Sequence, residues 1–419
     1  MQERRSAVVP KIRIDPGVVE ARIMELARIG ACYETGVCRT VYSPEWVEAQ
    51  AVVERWCTEA GFATRRDAVG NIWGRVEGSE GGPAVVSGSH IDSQLPGGRY
   101  DGALGIIAAI TAMEALVAQF GPPKRPVEAL SFCEEEGSRF QGASFWGSRA
   151  ITGQAPEGLA DRLIDPQGTS MADAMRAVGL DPARIHEARR TDIGDFIELH
   201  VEQGPILEHA GYPVGIVNVI NGARGYRVTV VGDSNHAGAM PMDLRRDPLV
   251  GAAEMVIAVQ QNAVRLGRPA VATVGYIHAE PGWPAIIPKS VTFTINTRHN
   301  DRDALNGMAA AHEAAMREIA ARHGLEVSWT GGDGLDPCPA DPTIVALLEQ
   351  SARDQGIAAL TMPSGALHDA QRMAQIARMS MVFVQSKDGR SHTPEEYSSI
   401  EHCVAGIQVL AGGLYLLAW

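Results

Sequence analysis

A chain of 419 residues is longer than one compact core usually serves, so two domains are expected. Hydrophobic residues make up 45% and charged residues 21%, a balance that excludes disordered and fibrous classes. The formal charge of −13 argues against a nucleic-acid partner, because phosphate binding needs a basic footprint.

The opening segment, MQERRSAVVPKIRID, carries early arginines but no apolar stretch of the kind a signal peptide needs. Residues 18–29 and 44–60 read as amphipathic helices. The second has Ser43 as N-cap, Pro44 at its first position and Gly61 past its end. From Ala84 short apolar strands alternate with longer helices. Residues 84–89 read as a strand, 102–120 as a helix, and 127–133 and 196–201 as further strands. Such alternation predicts a parallel or mixed sheet covered by helices. The stretch 102–120 comes nearest to a membrane span. Thr111 and Glu114 interrupt it, no run reaches the ~18 apolar residues required, and no membrane partner is expected.

Residues 214–333 read as a self-contained insert. Strand 226–231, helix 248–266, strands 270–277 and 291–297, helix 302–323 and strand 326–330 give the order βαββαβ. Gly211–Pro213 and the run from Gly331 to Pro339 are its linkers. The αβ texture then resumes with helices 343–355 and 368–377, strand 379–385 and helix 400–417. The fold class is α/β, with a discontinuous main domain (1–213 and 334–419) interrupted by the insert (214–333). Six dispersed cysteines without a C-x-x-C pair argue against disulfides and fit the cytoplasm.

Acidic and histidine residues recur where these strands end. His90 and Asp92 close one strand, Asp101 precedes the following helix, and Glu134, Glu135 and Glu136 follow another. His200 and Glu202 close a third, and His392 follows the last. Ligands of open α/β sheets bind at the carboxyl ends of strands, so these loops can build one site. Imidazoles with carboxylates suit zinc, manganese, cobalt or nickel. Alternation in H-x-D places Asp92 on the side of His90, where it can orient that ring. Taken singly, an H-x-D is mostly chance, three glutamates are usually a solvated face, and His200 is compatible with a structural role. Their conjunction is what points to a metal.

The stretches GSHIDSQLPGGRYDGALG, EEEGSRFQGASFWGSRAITG, ELHVEQGPILE, HAGAMPMDLRRDPL, FTINTRH, PSGALHDA and SHTPEE together resemble the amidase branch of the co-catalytic metallopeptidase superfamily. That branch holds the N-carbamoyl-L-amino acid hydrolases, beta-ureidopropionases and allantoate amidohydrolases. The resemblance implies a zinc-peptidase-like catalytic domain, with the insert serving as lid and dimerisation domain of a homodimer. It implies two divalent ions per subunit, held by His90, Asp101 (bridging), Glu136, His200 and His392, with Glu135 as general base and Glu134 outside the ligand set. It further implies that His236, from the partner subunit, polarises the scissile carbonyl, that Gln203, Ser364 and Gly365 contact substrate, and that Arg298 grips its carboxylate.

Two positions depart from the branch. Ala285 stands where an asparagine is usual, and Leu367 where a glycine is usual, both beside the substrate rather than the metals. The expected substrate is therefore a small ureido or amide compound with a carboxylate, an N-carbamoyl-L-amino acid first. Allantoate, ureidoglycolate or an N-acyl or N-formyl amide is the alternative. A metal-free binding protein on the same fold is the competing class, and the full ligand set argues against it.

Overall fold

Capping side chains and prolines set where the first helices begin. Asp15 accepts from the Gly17 amide at the start of helix Pro16–Arg28, and Ser43 from the Trp46 amide at the start of helix Pro44–Glu59; each helix opens on its proline. The computed structural model describes residues 8–419, so the arginine-bearing start of the chain lies outside the described residues.

The chain divides into two compact units. The first runs to Asn218 and resumes from Pro339 to Trp419; the second is Val219–Cys338. The first is built on a nine-stranded mixed sheet. At its centre Arg378–Val384, Ile193–Val201, Ala84–His90 and Val127–Phe132 run parallel, so their carboxyl ends share one edge. Ile72–Val76 and Ala63–Arg66 extend one side antiparallel. Val214–Ile220, read from sequence as the start of the insert, pairs antiparallel with Arg378–Val384 and belongs to this sheet. Its Val/Ile run reads the same in either domain, which is why the pattern alone misplaced it.

Central strands buried on both faces read as continuous apolar runs, and Ala84–His90 and Val127–Phe132 are buried throughout. Helices Ala103–Phe120 and Ile400–Ala418 pack beside them. Both are long and apolar enough to cross a bilayer by length and composition, contrary to the expectation that no segment would be. Burial inside the unit accounts for this: Ile106, Ile107, Ile110, Ile407 and Leu410 are wholly enclosed.

Two cysteines are not free thiols. The short strands Ala31–Cys32 and Gly36–Val37 form a hairpin, and Cys32 and Cys38 across it are joined by a disulfide. The sequence reading treated all six cysteines as unpaired; a hairpin closing a loop this short carries no spacing signature. Cys57, Cys133, Cys338 and Cys403 are free.

The second unit is a five-stranded antiparallel sheet with two helices. Val271–Thr273, Ser290–His299, Gly222–Val231 and Glu326–Leu335 are neighbours in that order, and Ile277–Glu280 also pairs with Ser290–His299. The expected single strand over 270–277 is therefore broken in two. Tyr226, Val228, Val230, Phe293 and Ile295 alternate along the central strands and pack with Met255, Val259 and Met316 of helices Pro248–Leu266 and Arg302–Arg322.

His312 lies in this core, wholly buried. Arg265 holds the Asn262 carbonyl oxygen, so the Asn262 amide nitrogen donates to His312 Nδ1 at 3.0 Å and the ring is neutral. Burial pushes its pKa down to about 4. The unfolded chain takes up a proton near 6.5 and the folded one does not, so stability is lost as pH falls from 6.5 towards 4. The loss is on the order of 3 kcal/mol. His312→Leu should flatten the pH dependence of urea unfolding in that window, and an unchanged difference between pH 7 and pH 4.5 would contradict the assignment.

Candidate metal centre and active site

The four parallel strands bring their carboxyl ends to one place. His90 ends Ala84–His90, Glu134–Glu136 follow Val127–Phe132, His200 is the penultimate residue of Ile193–Val201, and His392 lies in the loop beyond Arg378–Val384. Asp101 comes from the loop before helix Ala103–Phe120. Gly102, at φ 64°, is left-handed, and a Cβ there would run into the His90 ring.

Asp101 faces two ways. Its Oδ1 lies 3.1 Å from His200 Nε2 and 3.7 Å from His90 Nε2, and its Oδ2 lies 3.3 Å from His392 Nε2. His392 Nε2 is in turn 3.6 Å from Glu136 Oε1. Two groups result, His90–Asp101–His200 and Asp101–Glu136–His392, which share Asp101. Donors about 2.1 Å from one ion in a tetrahedral shell stand about 3.4 Å from each other. The observed spacings fit that arrangement better than direct hydrogen bonds.

The ring tautomers agree. His90 Nδ1 lies 3.0 Å from the Asp92 carbonyl oxygen and His200 Nδ1 lies 2.9 Å from the Val201 carbonyl oxygen. A carbonyl only accepts, so each Nδ1 carries a proton; His200 Nε2 has its lone pair free to accept the Gly102 amide at 3.2 Å, and His90 Nε2 faces Asp101. The Asp92 carboxylate, expected to orient His90, stands 3.6 Å from Nδ1. Its closer partners are the backbone amides of Glu135 and Glu136, at 3.2 and 3.0 Å. Asp92 thus holds the acidic loop as much as the histidine. Gln94 holds Glu136 by donating to Oε2 at 2.7 Å.

Burial raises the Glu135 carboxyl well above its usual range, and it raises Glu136, with Asp101 adding to the effect. Burial acts the same way on Asp101, but the His200 and His392 imidazoles override it and hold that carboxyl well below. The Asp101 carboxylate pushes His392 up to about 9. Glu134 is buried and lies in neither group.

Gln203 donates to Asp101 Oδ2 at 2.8 Å and lies 3.3 Å from His392 Nε2. Glu134, Gln203 and His392 all have positive φ, a strained backbone conformation for side chains of this size. Ser364 ends strand Ala359–Ser364; its hydroxyl donates to the Ala366 carbonyl and lies 3.0 Å from His368 Nε2. Gly365 follows, where a Cβ would meet nothing.

His236, Arg298 and Ala285 belong to the second unit. His236 pairs with Ile286 in a two-residue ladder and is exposed. The Gly238 amide donates to its Nδ1 at 3.0 Å, which leaves Nε2 as the outward donor of the neutral ring. Arg298 lies on Ser290–His299, its Nε donating to Asn296 at 3.2 Å. Ala285 is exposed, and its carbonyl accepts from Ala237.

The sequence reading missed the layer beneath. Glu198, two residues before His200 on the same strand face, accepts from Ser89 and from the Ala370 amide. His368 sits edge-on to His200 with ring centroids 4.6 Å apart. Glu198, His200 and His368 also have ligand atoms in mutual reach, but hydrogen bonds already occupy both Glu198 oxygens and tie His368 to Ser364. The i, i+2 spacing in E-L-H was the available signal.

Residues 87–415 match the model of Peptidase family M20/M25/M40. The chain is 38% identical to the allantoate amidohydrolase of Bacillus subtilis (strain 168), over 94% of this chain and 96% of that one. It is also 38% identical to the N-carbamoyl-L-amino-acid amidohydrolase of Pseudomonas sp. (strain NS671), over 93% and 95%. A crystal structure of an amidase of the hydantoinase/carbamoylase family from Burkholderia multivorans superposes with a TM-score of 0.88 at 33% identity, covering 97% of this chain and 98% of that chain. With strand-end histidines and carboxylates in this arrangement, the chain belongs to Peptidase family M20/M25/M40, in its hydantoinase/carbamoylase amidase branch, and is a hydrolase of C–N bonds.

Proposed function

We propose that the enzyme is a binuclear-metal amidohydrolase that cleaves the ureido C–N bond of an N-carbamoyl-L-amino acid, giving the amino acid, carbon dioxide and ammonia. The observation that carries the reading is Asp101, with one carboxylate oxygen turned to His90 and His200 and the other to His392. His90 and His200 would hold one ion, Glu136 and His392 the other, and Asp101 both; zinc, manganese, cobalt and nickel all suit these donors. Bound there, divalent cations supply Lewis acidity that polarises a carbonyl and acidifies water.

Glu135 takes the proton of the attacking water and passes it to the leaving nitrogen. Its side chain is 11% exposed and stands 3.9 Å from His90 Nε2, and burial suits it to hold a proton between the two transfers. His236 offers its Nε2 proton to the carbonyl oxygen as charge develops there, supplied by the partner subunit as in similar enzymes. Arg298 pairs with the substrate carboxylate, and Gln203, Ser364 and Gly365 line the substrate. Four free thiols accord with a cytoplasmic placement, and the Cys32–Cys38 disulfide counts against it.

A second reading, allantoate or ureidoglycolate hydrolysis, is supported by the equal identity to the Bacillus allantoate enzyme. The deciding experiment loads the protein with manganese, cobalt, nickel or zinc and assays N-carbamoyl-L-amino acids, allantoate, ureidoglycolate and N-acyl amino acids, scoring ammonia and free amine together. Ammonia with amino acid from the carbamoyl substrates is the expected result. Ammonia from allantoate alone moves the assignment to the second reading, and amine without ammonia rejects a ureido substrate.

Glu135→Gln should lower kcat by roughly 10²–10⁴-fold with metal content unchanged. Turnover at the wild-type rate would remove Glu135 from the proton path.

A homodimer through the second unit is supported by one stripe of its helix Pro248–Leu266. Val250, Ile257 and Val264, seven residues apart on one face of that helix, are 48%, 52% and 72% exposed, with Glu254, Gln260 and Gln261 between them. The pair Ile257→Glu and Val264→Glu should convert a dimer into a folded monomer in light scattering; an unaltered mass would place the contact elsewhere.

A further inference from the structure

We propose that Glu396 is a positioning residue that locks the shared ligand Asp101 to the loop carrying His392. The inference rests on the two-cation reading above and assigns to this chain a residue that reading does not use.

Glu396 is 3% exposed. Its Oε1 accepts the backbone amides of both Tyr100 and Asp101 at 2.9 Å. Its Oε2 lies 2.7 Å from Ser391 Oγ, and the same hydroxyl lies 2.7 Å from Asp101 Oδ2. One side chain therefore holds the Asp101 amide directly, and the Ser391 hydroxyl, whose single proton serves one acceptor at a time, stands between its carboxylate and that of Asp101. Ser391 is the immediate neighbour of His392, so the grip closes a loop across almost 300 residues of chain between two members of the Asp101–Glu136–His392 group.

The approach is tight. A Cβ on Gly98 would stand 2.6 Å from the Glu396 Cβ and would overlap its carboxylate, so only glycine leaves room for the clamp. The need for such a clamp follows from the backbone. His392 has φ 56° and a side chain 48% exposed, whereas those of His90 and His200 are 2% exposed. Packing fixes the two buried rings; His392, on an exposed and strained loop, is placed by polar contacts with Asp101, Gln203 and Glu136 instead. Groups that hold a ligand in place without touching the ion set its orientation, and their loss typically weakens metal binding 10–100-fold.

The test is a cobalt(II) titration of chelator-stripped protein, followed by visible absorption and by elemental analysis after gel filtration. Wild type should take up two equivalents. Glu396→Ala should weaken the second by roughly 10–100-fold and leave the first within a factor of about two. Glu396→Gln keeps an acceptor for both amides and should retain two. Gly98→Ala, which displaces the clamp without altering it, and Ser391→Ala, which cuts only the link to the Asp101 carboxylate, should reproduce the loss even if Glu396→Ala fails to fold. A wild type that binds fewer than two equivalents overturns the two-cation reading and this inference together. Two tight equivalents in wild type, Gly98→Ala and Ser391→Ala alike overturn the inference alone. So does a Glu396→Gln protein as weak as the alanine variant, because charge rather than positioning would then be the cause.

Discussion

Asp92, Asp101, Glu135 and Glu136 crowd one buried edge of the sheet, and carboxylates in such surroundings are costly unless their charges are met. Imidazoles meet them in part: His90 and His200 each give their Nδ1 proton to a backbone carbonyl, and His392, raised to about 9, faces both Asp101 and Glu136. Backbone amides offset part of the cost, two at Asp92 and two at Glu396. Asp101 Oδ1 then faces His90 and His200, rings whose Nδ1 proton is already given to a backbone carbonyl. An arrangement of lone pairs around a shared carboxylate is built for cations, and the protein's scaffolding at this edge serves to hold it open for them.

That scaffolding sends the side chains of one acidic run to different places, as the proposed division of roles between Glu135 and Glu136 requires. Glu134 turns inward at a positive φ, and the next two residues leave the strand with both amides pinned to Asp92. Consecutive side chains then diverge: Glu136 reaches Gln94 and the His392 group, and Glu135 stays beside His90. A proton carrier needs to be near the reacting atoms without being consumed as a ligand. Adjacent residues on a rigid strand end meet both conditions with a single backbone anchor.

What could be read without coordinates follows the range of the interaction. Strand-end ligands are legible because apolar runs and their punctuation are local, and helix starts such as Pro44 were read to the residue. The placing of Asp101 between two groups was not legible in the local pattern, and the expectation of two ions came from the family resemblance alone. Val214–Ile220 was placed in the wrong unit because its partner strand is more than 160 residues away. The Cys32–Cys38 link was hidden for the opposite reason, being a contact within one hairpin that no spacing rule marks. Glu198 and Glu396 were passed over because a buried carboxylate with backbone partners looks, in sequence, like any surface glutamate.

The same reasoning separates reaction class from substrate. Every residue in the metal edge is held by at least one further group, so its geometry is over-determined and tolerates little change. Ala285 is not so held: it is exposed, and its hydrogen bond is made by its backbone carbonyl, which any residue could supply. A side chain at that position can change without disturbing the ladder between Asn235–His236 and Ile286–Ile287 that carries His236. Reaction class thus rests with the held sheet edge, and relatives of equal identity carry names for different ureido substrates.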